Sequence, residues 1–135
     1  MASVLNTPLV DNEICYRCVH PQYYSQAGLS DKAFLPTSAD LGFLSVERSA
    51  GNTAKDSYDR RIAMGKKVAA VMGVTVGEFG SQLVPVSLDP VYGDDKTEVI
   101  NQWHCLADFN KVKDPNIVAK ALKKIALTRT PEYLP

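Results

Sequence analysis

The 135-residue sequence predicts a single α+β domain, with about five strands in a mixed sheet and two helices packed on it. Three observations carry that expectation. Segments dense in β-branched and aromatic residues recur at 13–19, 41–47 and 97–109, each bounded by turn-forming residues. Two segments, 54–66 and the stretch from Pro115 towards Pro131, carry apolar residues at helical spacing behind good capping residues. The order strand, long loop, strand, helix, hairpin, strand, helix lacks the alternation of a doubly wound parallel fold. The phosphate loops Gly-x-Gly-x-x-Gly and Gly-x-x-x-x-Gly-Lys-Ser/Thr are also absent.

Residues 1–11 form a lead-in. The first strand, 13–19, stops at His20-Pro21. Residues 22–39 hold Tyr23, Tyr24, Gly28 and Pro36 without a sustained period and read as a long loop, a type of segment that is often functional. After the strand 41–47, Asn52 or Thr53 caps a helix over 54–66 in which Ala54, Tyr58, Ile62 and Met64 make the buried stripe. Residues 68–79 and 83–88 read as a hairpin broken at Gly80-Ser81, and Pro85 places its second strand at an edge or bulge. The strand 97–109 puts Ile100, Gln102, His104 and Leu106 on one face and Asn101, Trp103, Cys105 and Ala107 on the other. Asp114-Pro115 then supplies an N-cap and an N1 proline for a helix with Ile117, Val118, Ala121, Leu122, Ile125 and Ala126 inward. Residues 129–135 are an extended tail.

Fifteen acidic and fifteen basic residues balance, so nothing in the overall charge favours nucleic acid or an anionic membrane. The distribution is uneven, with acids concentrated over 78–98 and six basic residues over 111–129. A solvated helix face accounts for the latter, because base-stacking aromatics are lacking there. The first residues lack a basic region followed by a long apolar run, and no apolar stretch reaches the length of a membrane span, so a cytoplasmic protein is expected. Three cysteines without secretory context predict reduced thiols.

Both histidines, all three cysteines and Arg17 lie in two short segments, 13–21 and 103–108. Cys15, Cys18, His20, His104 and Cys105 are of the type that binds zinc. Strand parity opposes a shared site, since Cys15 and Cys18 point to opposite faces, as do His104 and Cys105. No metal and no cofactor are therefore expected. A catalytic reading takes Arg17 as anion clamp, Ser45 or Tyr58 as hydroxyl and His104 as acid or base of a phosphate- or ADP-ribose-handling pocket, with His20 and Tyr58 as further ligand-binding residues. Its plainer rival pairs Arg17 with Glu47 on a neighbouring strand. A Ser-His-Asp set through Asp108 has no Gly-x-Ser-x-Gly elbow to support it.

The words Cys15-Tyr-Arg-Cys-Val-His-Pro21, Lys32-Ala-Phe-Leu-Pro36, Leu44-Ser-Val-Glu-Arg48 and Trp103-His-Cys-Leu-Ala-Asp108 resemble small uncharacterised bacterial proteins that accompany defence or mobile-element genes. The Tyr16-Arg17 strand, the Phe43-to-Val46 strand and the helix after them are similar to the start of ADP-ribosyltransferase-like toxin folds of the RES type. The glycine-rich stretch those toxins carry after the first strand is absent. The leading expectation is an accessory protein that binds a protein partner, or a second copy of itself, through Tyr23, Tyr24, Tyr133 and Leu134. The alternative is a small enzyme or sensor that binds a nucleotide or phosphorylated ligand through Arg17, Ser45 and His104.

Overall fold

In a computed structural model, which describes residues 3–135, helices and strands combine in one α+β unit. In chain order the strands are β1 (Ile14–Val19), β2 (Tyr24–Ser25), β3 (Gly28–Leu29), β4 (Phe43–Arg48), β5 (Ala70–Thr75), β6 (Val86–Leu88), β7 (Val91–Tyr92), β8 (Val99–Asn101) and β9 (His104–Asp108). The helices are α1 (Ala54–Ala63), α2 (Val76–Ser81) and α3 (Pro115–Thr128). Five strands form the main sheet in the order β5-β1-β4-β9-β6, and β2–β3 and β7–β8 are separate two-stranded ribbons.

Every neighbouring pair in the main sheet is antiparallel, which corrects the expected mixed sheet. The cause is a split crossover. Strands β4 and β5 run the same way and are joined through α1, but β1 inserts between them, so no parallel pair is hydrogen-bonded. The predicted hairpin over 68–88 does not form. Strands β5 and β6 lie at opposite edges of the sheet, with α2 between them in sequence. Thr75 and Glu78 build a reciprocal capping box that starts α2. Gly77 within it accommodates the main chain of Asp11, which an added Cβ would meet at 3.1 Å. The edge position inferred from Pro85 fits β6, which borders the sheet.

The other differences are local. The long strand over 97–109 is two strands, broken where the Asn101 side-chain oxygen accepts the Trp103 N–H at 3.0 Å. The loop 22–39 holds three 3-10 turns and the β2–β3 ribbon, and it buries Ala33 and Phe34 completely. Helix α1 ends at Ala63, leaving Ile62 and Met64 exposed. In α3, Ala119 takes a buried position while Ile117 is exposed.

One face of the sheet carries the main core. Cys15, Val19, Leu44, Val46, Met72, Val74, Cys105 and Ala107 pack with Phe34, Phe79 and the Val118, Ala119, Leu122 and Ala126 stripe of α3. The alternation along β4, with Leu44, Val46 and Arg48 buried, is the period-two pattern of a strand with a single core face. The last of these is a charge. Arg48, 0% exposed, donates to both carboxylate oxygens of Glu13 at 2.8 Å and to the carbonyls of Val4, Thr7 and Pro8. On the second face, α1 packs over β1 and β5 with Ala54, Tyr58, Val68, Val71, Tyr16 and Tyr133 in a smaller cluster. The β4 and β9 half of that face is left open, and it becomes the floor of a cleft.

Candidate functional site

The cleft encloses about 490 Å³. Its floor comes from β1, β4 and β9 through Tyr16, Cys18, Ser45, Glu47 and His104. The C-terminal end of α1 (Arg60, Arg61, Ala63 and Met64) forms one wall, and the β7–β8 ribbon (Val91, Ile100 and Asn101) the other.

Register sets the polar centre. His104 on β9 pairs with Glu47, and Leu106 pairs with Ser45, so His104 and Ser45 are diagonal neighbours on the open face. His104 Nε2 lies 3.2 Å from Ser45 Oγ. Its Nδ1 faces two acceptors of Asp89, the main-chain oxygen at 2.9 Å and the carboxylate Oδ2 at 3.1 Å. Because only acceptors surround Nδ1, that nitrogen carries a proton, and in the neutral imidazole Nε2 then accepts from the Ser45 hydroxyl. Asp89 is held in place where β6 ends, its own N–H donating to the His104 carbonyl at 2.9 Å. The result is a Ser45–His104–Asp89 relay.

Arg17 does not pair with Glu47. Its Nε donates to the carbonyl of Ala33 at 2.8 Å and its Nη1 to the carbonyl of Ser45 at 3.0 Å. Burial, with the nearby Arg61 charge, lowers its pKa to about 10. Among the described residues neither Arg17 nor Arg61 takes part in an ion pair. Two of the five guanidinium donors of Arg17 are committed to main-chain oxygens, and the residue has the strand parity of Cys15 and Val19, so it borders the cleft from the core side of β1.

Glu47 is the brace of the site. Burial pushes its carboxyl up, but hydrogen bonds from Arg60 and Ser57, the Arg60 charge and a bond from Asn101 hold it below the usual carboxylate range. Arg60 Nη2 reaches Glu47 Oε1 at 2.6 Å, Ser57 Oγ reaches the same oxygen at 2.7 Å, and Asn101 Nδ2 reaches Oε2 at 2.7 Å. One carboxylate thus ties α1, β4 and the β7–β8 ribbon together, and Arg60 also stacks on the Trp103 ring at 4.3 Å.

Ser45 and His104 meet on the cleft floor, and Arg17 borders the same cleft while anchored to the Ala33 and Ser45 main-chain oxygens. His20 and Tyr58 lie elsewhere. His20 is exposed and caps a 3-10 turn by accepting the Gln22 N–H, and Tyr58 stacks on Tyr133 with ring centroids 5.0 Å apart. Tyr23 and Tyr24 pack partly buried against the main core, and Leu134 is exposed. The cysteines are divided, with Cys15 and Cys105 in the core and Cys18 at the cleft. Burial pushes all three thiols up, Cys18 to about 11 and Cys105 to about 12. Among the described residues no three His, Cys, Asp or Glu side chains group as metal ligands.

Sequence reasoning missed Asp89, Arg60, Arg61 and Asn101. Asp89 reads as a turn residue before Pro90, and its link to His104 spans 15 residues that no spacing rule connects. No described helix is long and apolar enough to cross a membrane. Comparison with protein-family models, curated proteins and solved structures finds no match.

Proposed function

We propose that the protein is a small enzyme or sensor that binds a nucleotide or another phosphorylated small molecule in this cleft. The observation that carries the reading is the convergence of Arg17, Ser45 and His104 on one cavity of about 490 Å³, a volume suited to a single small ligand. Arg61, at the cleft wall and in no ion pair among the described residues, supplies a positive charge there, and the buried Arg17 guanidinium adds to the positive potential beneath it; both favour a phosphate. The Met64, Val91 and Ile100 side chains offer apolar walls for the body of such a ligand.

Partner binding through residues 22–39 and the tail has less support. Tyr23 and Tyr24 pack against the core, and Tyr133 bridges to Val71 of the same chain. The test is a thermal-shift screen of nucleotides, sugar phosphates and inorganic phosphate against the wild type, Arg61→Ala and His104→Ala. A ligand that raises the wild-type melting temperature, with the shift reduced in both variants, is the expected result. No stabilising ligand, or an equal shift in all three proteins, overturns the reading.

A further inference from the structure

We propose that Ser45 is the nucleophile of an acyl-transfer reaction, with His104 as its general base, Asp89 as the positioning residue, and an ester of a phosphorylated alcohol as substrate. The substrate class rests on the cleft being a phosphate site. The role of Ser45 rests on the relay alone.

Three side chains from three separate chain segments meet in the order that nucleophilic serine chemistry requires. Ser45 Oγ is 3.2 Å from His104 Nε2, and His104 Nδ1 is 3.1 Å from Asp89 Oδ2. The other candidates at the cleft are otherwise engaged. Glu47 is occupied by Arg60, Ser57 and Asn101 and is not free to accept a proton. The Cys18 thiol, pushed up to about 11 by burial, stays protonated near neutral pH. The Met64, Val91 and Ile100 side chains of the lining suit an acyl chain, while Arg61 suits the phosphate of the alcohol.

In the reaction Ser45 Oγ attacks the ester carbonyl carbon and forms the new C–O bond as its proton passes to His104 Nε2. The bond to the alcohol oxygen then breaks, and that oxygen takes the proton from the imidazolium. A water molecule, deprotonated in turn by His104, hydrolyses the acyl-serine. It releases the carboxylic acid and restores the Ser45 hydroxyl.

The intact chain is treated with a fluorophosphonate probe, with p-nitrophenyl butyrate hydrolysis followed in parallel. The wild type should form a single adduct that maps to Ser45. Ser45→Ala should form none, and His104→Ala and Asp89→Asn should label about 100-fold more slowly. Asp89→Glu should recover part of that rate, which a merely structural role for Asp89 would not produce. No adduct in the wild type, or an adduct that persists in Ser45→Ala, overturns the proposal. If phosphorylated ligands stabilise the protein but Ser45 does not label, the nucleophile is refuted and the binding reading stands. If Ser45 labels but no phosphorylated ligand shifts the melting temperature, the nucleophile stands and the phosphorylated-alcohol class is refuted.

Discussion

Arg17 Nη1 donates to the main-chain oxygen of Ser45 at 3.0 Å, next to the point where β1 and β4 cease to pair. The β1–β4 ladder holds the pairs Cys15–Arg48 and Tyr16–Glu47. Beyond them the guanidinium fills the gap between the strands, and its Nε also satisfies Ala33. Arg17→Met should therefore leave two carbonyls without their donors and cost roughly 2–4 kcal/mol in a urea titration. Arg17→Lys should recover little of this, because a single ammonium cannot reproduce a planar fork that bridges two segments. Full recovery by lysine would mean that charge alone acts there.

Arg48 and Glu13 form the buried pair that fastens residues 4–13 to the sheet. Arg48→Met leaves the Glu13 carboxylate buried beside three main-chain oxygens that have lost their donor. A loss of about 3–5 kcal/mol is expected. The double variant Arg48→Met/Glu13→Gln should be the more stable of the two, since it no longer buries an unpaired charge. Denaturant midpoints of both proteins check the order.

Stability should fall in acid. The carboxyls of Glu13, Glu47 and Glu78 all lie below their ordinary value of 4.5. In each, burial acts upward but is outweighed, chiefly by hydrogen bonds from Arg48, Arg60 and Arg129 respectively. As pH drops through 4.5 the unfolded chain takes up these protons first, so the contribution present above that pH is lost as the folded values are approached. Urea midpoints between pH 7 and pH 3 measure it, and Glu13→Gln should flatten the acid limb. A midpoint that rises in acid would contradict the assignment.

Cys18 is the one cysteine placed at the cleft, and burial raises its thiol to about 11. Iodoacetamide should modify the native protein slowly at pH 8, where roughly one thiol in a thousand is ionised, and faster as pH rises. Cys15 and Cys105, buried in the core, should react only on unfolding. A bound ligand should protect Cys18. Peptide mass spectrometry distinguishes the three sites.

The tail caps an edge strand. Glu132 and Tyr133 donate main-chain bonds to the Val71 carbonyl, the Val71 N–H donates to Tyr133, and Arg129 pairs with Glu78 at 2.8 Å. Removing residues 129–135 uncovers the outer side of β5 and the Tyr58 ring, so a lower melting temperature and concentration-dependent self-association are expected. Light scattering coupled to gel filtration measures the second effect. An unchanged melting temperature and a monomer at all concentrations would show that the tail contributes nothing to β5.

Much of the architecture was legible because it is written in local chemistry. Thr53 caps α1 and Asp114-Pro115 starts α3, since capping depends on neighbours one turn away. The alternation grouped Cys15, Arg17 and Val19 on one face of β1, opposed Ser45 to Leu44 and Val46, and opposed His104 to Cys105; which face is buried came from the structure. Helix α2 was missed although Thr75-x-x-Glu78 is a capping box, because the β-branched run before it and two glycines obscured the signal.

By itself the sequence determined the α+β class, most of the strands, the two longer helices and the candidacy of Arg17, Ser45 and His104. Each follows from periodicity, capping or the chemistry of a side chain within a few residues. Only the tertiary structure decided that β1 inserts between β4 and β5, that Asp89 meets His104 and that Glu47 belongs to Arg60. Strand order and side-chain pairing join residues far apart in the chain, and they follow from which apolar faces bury together rather than from any local pattern.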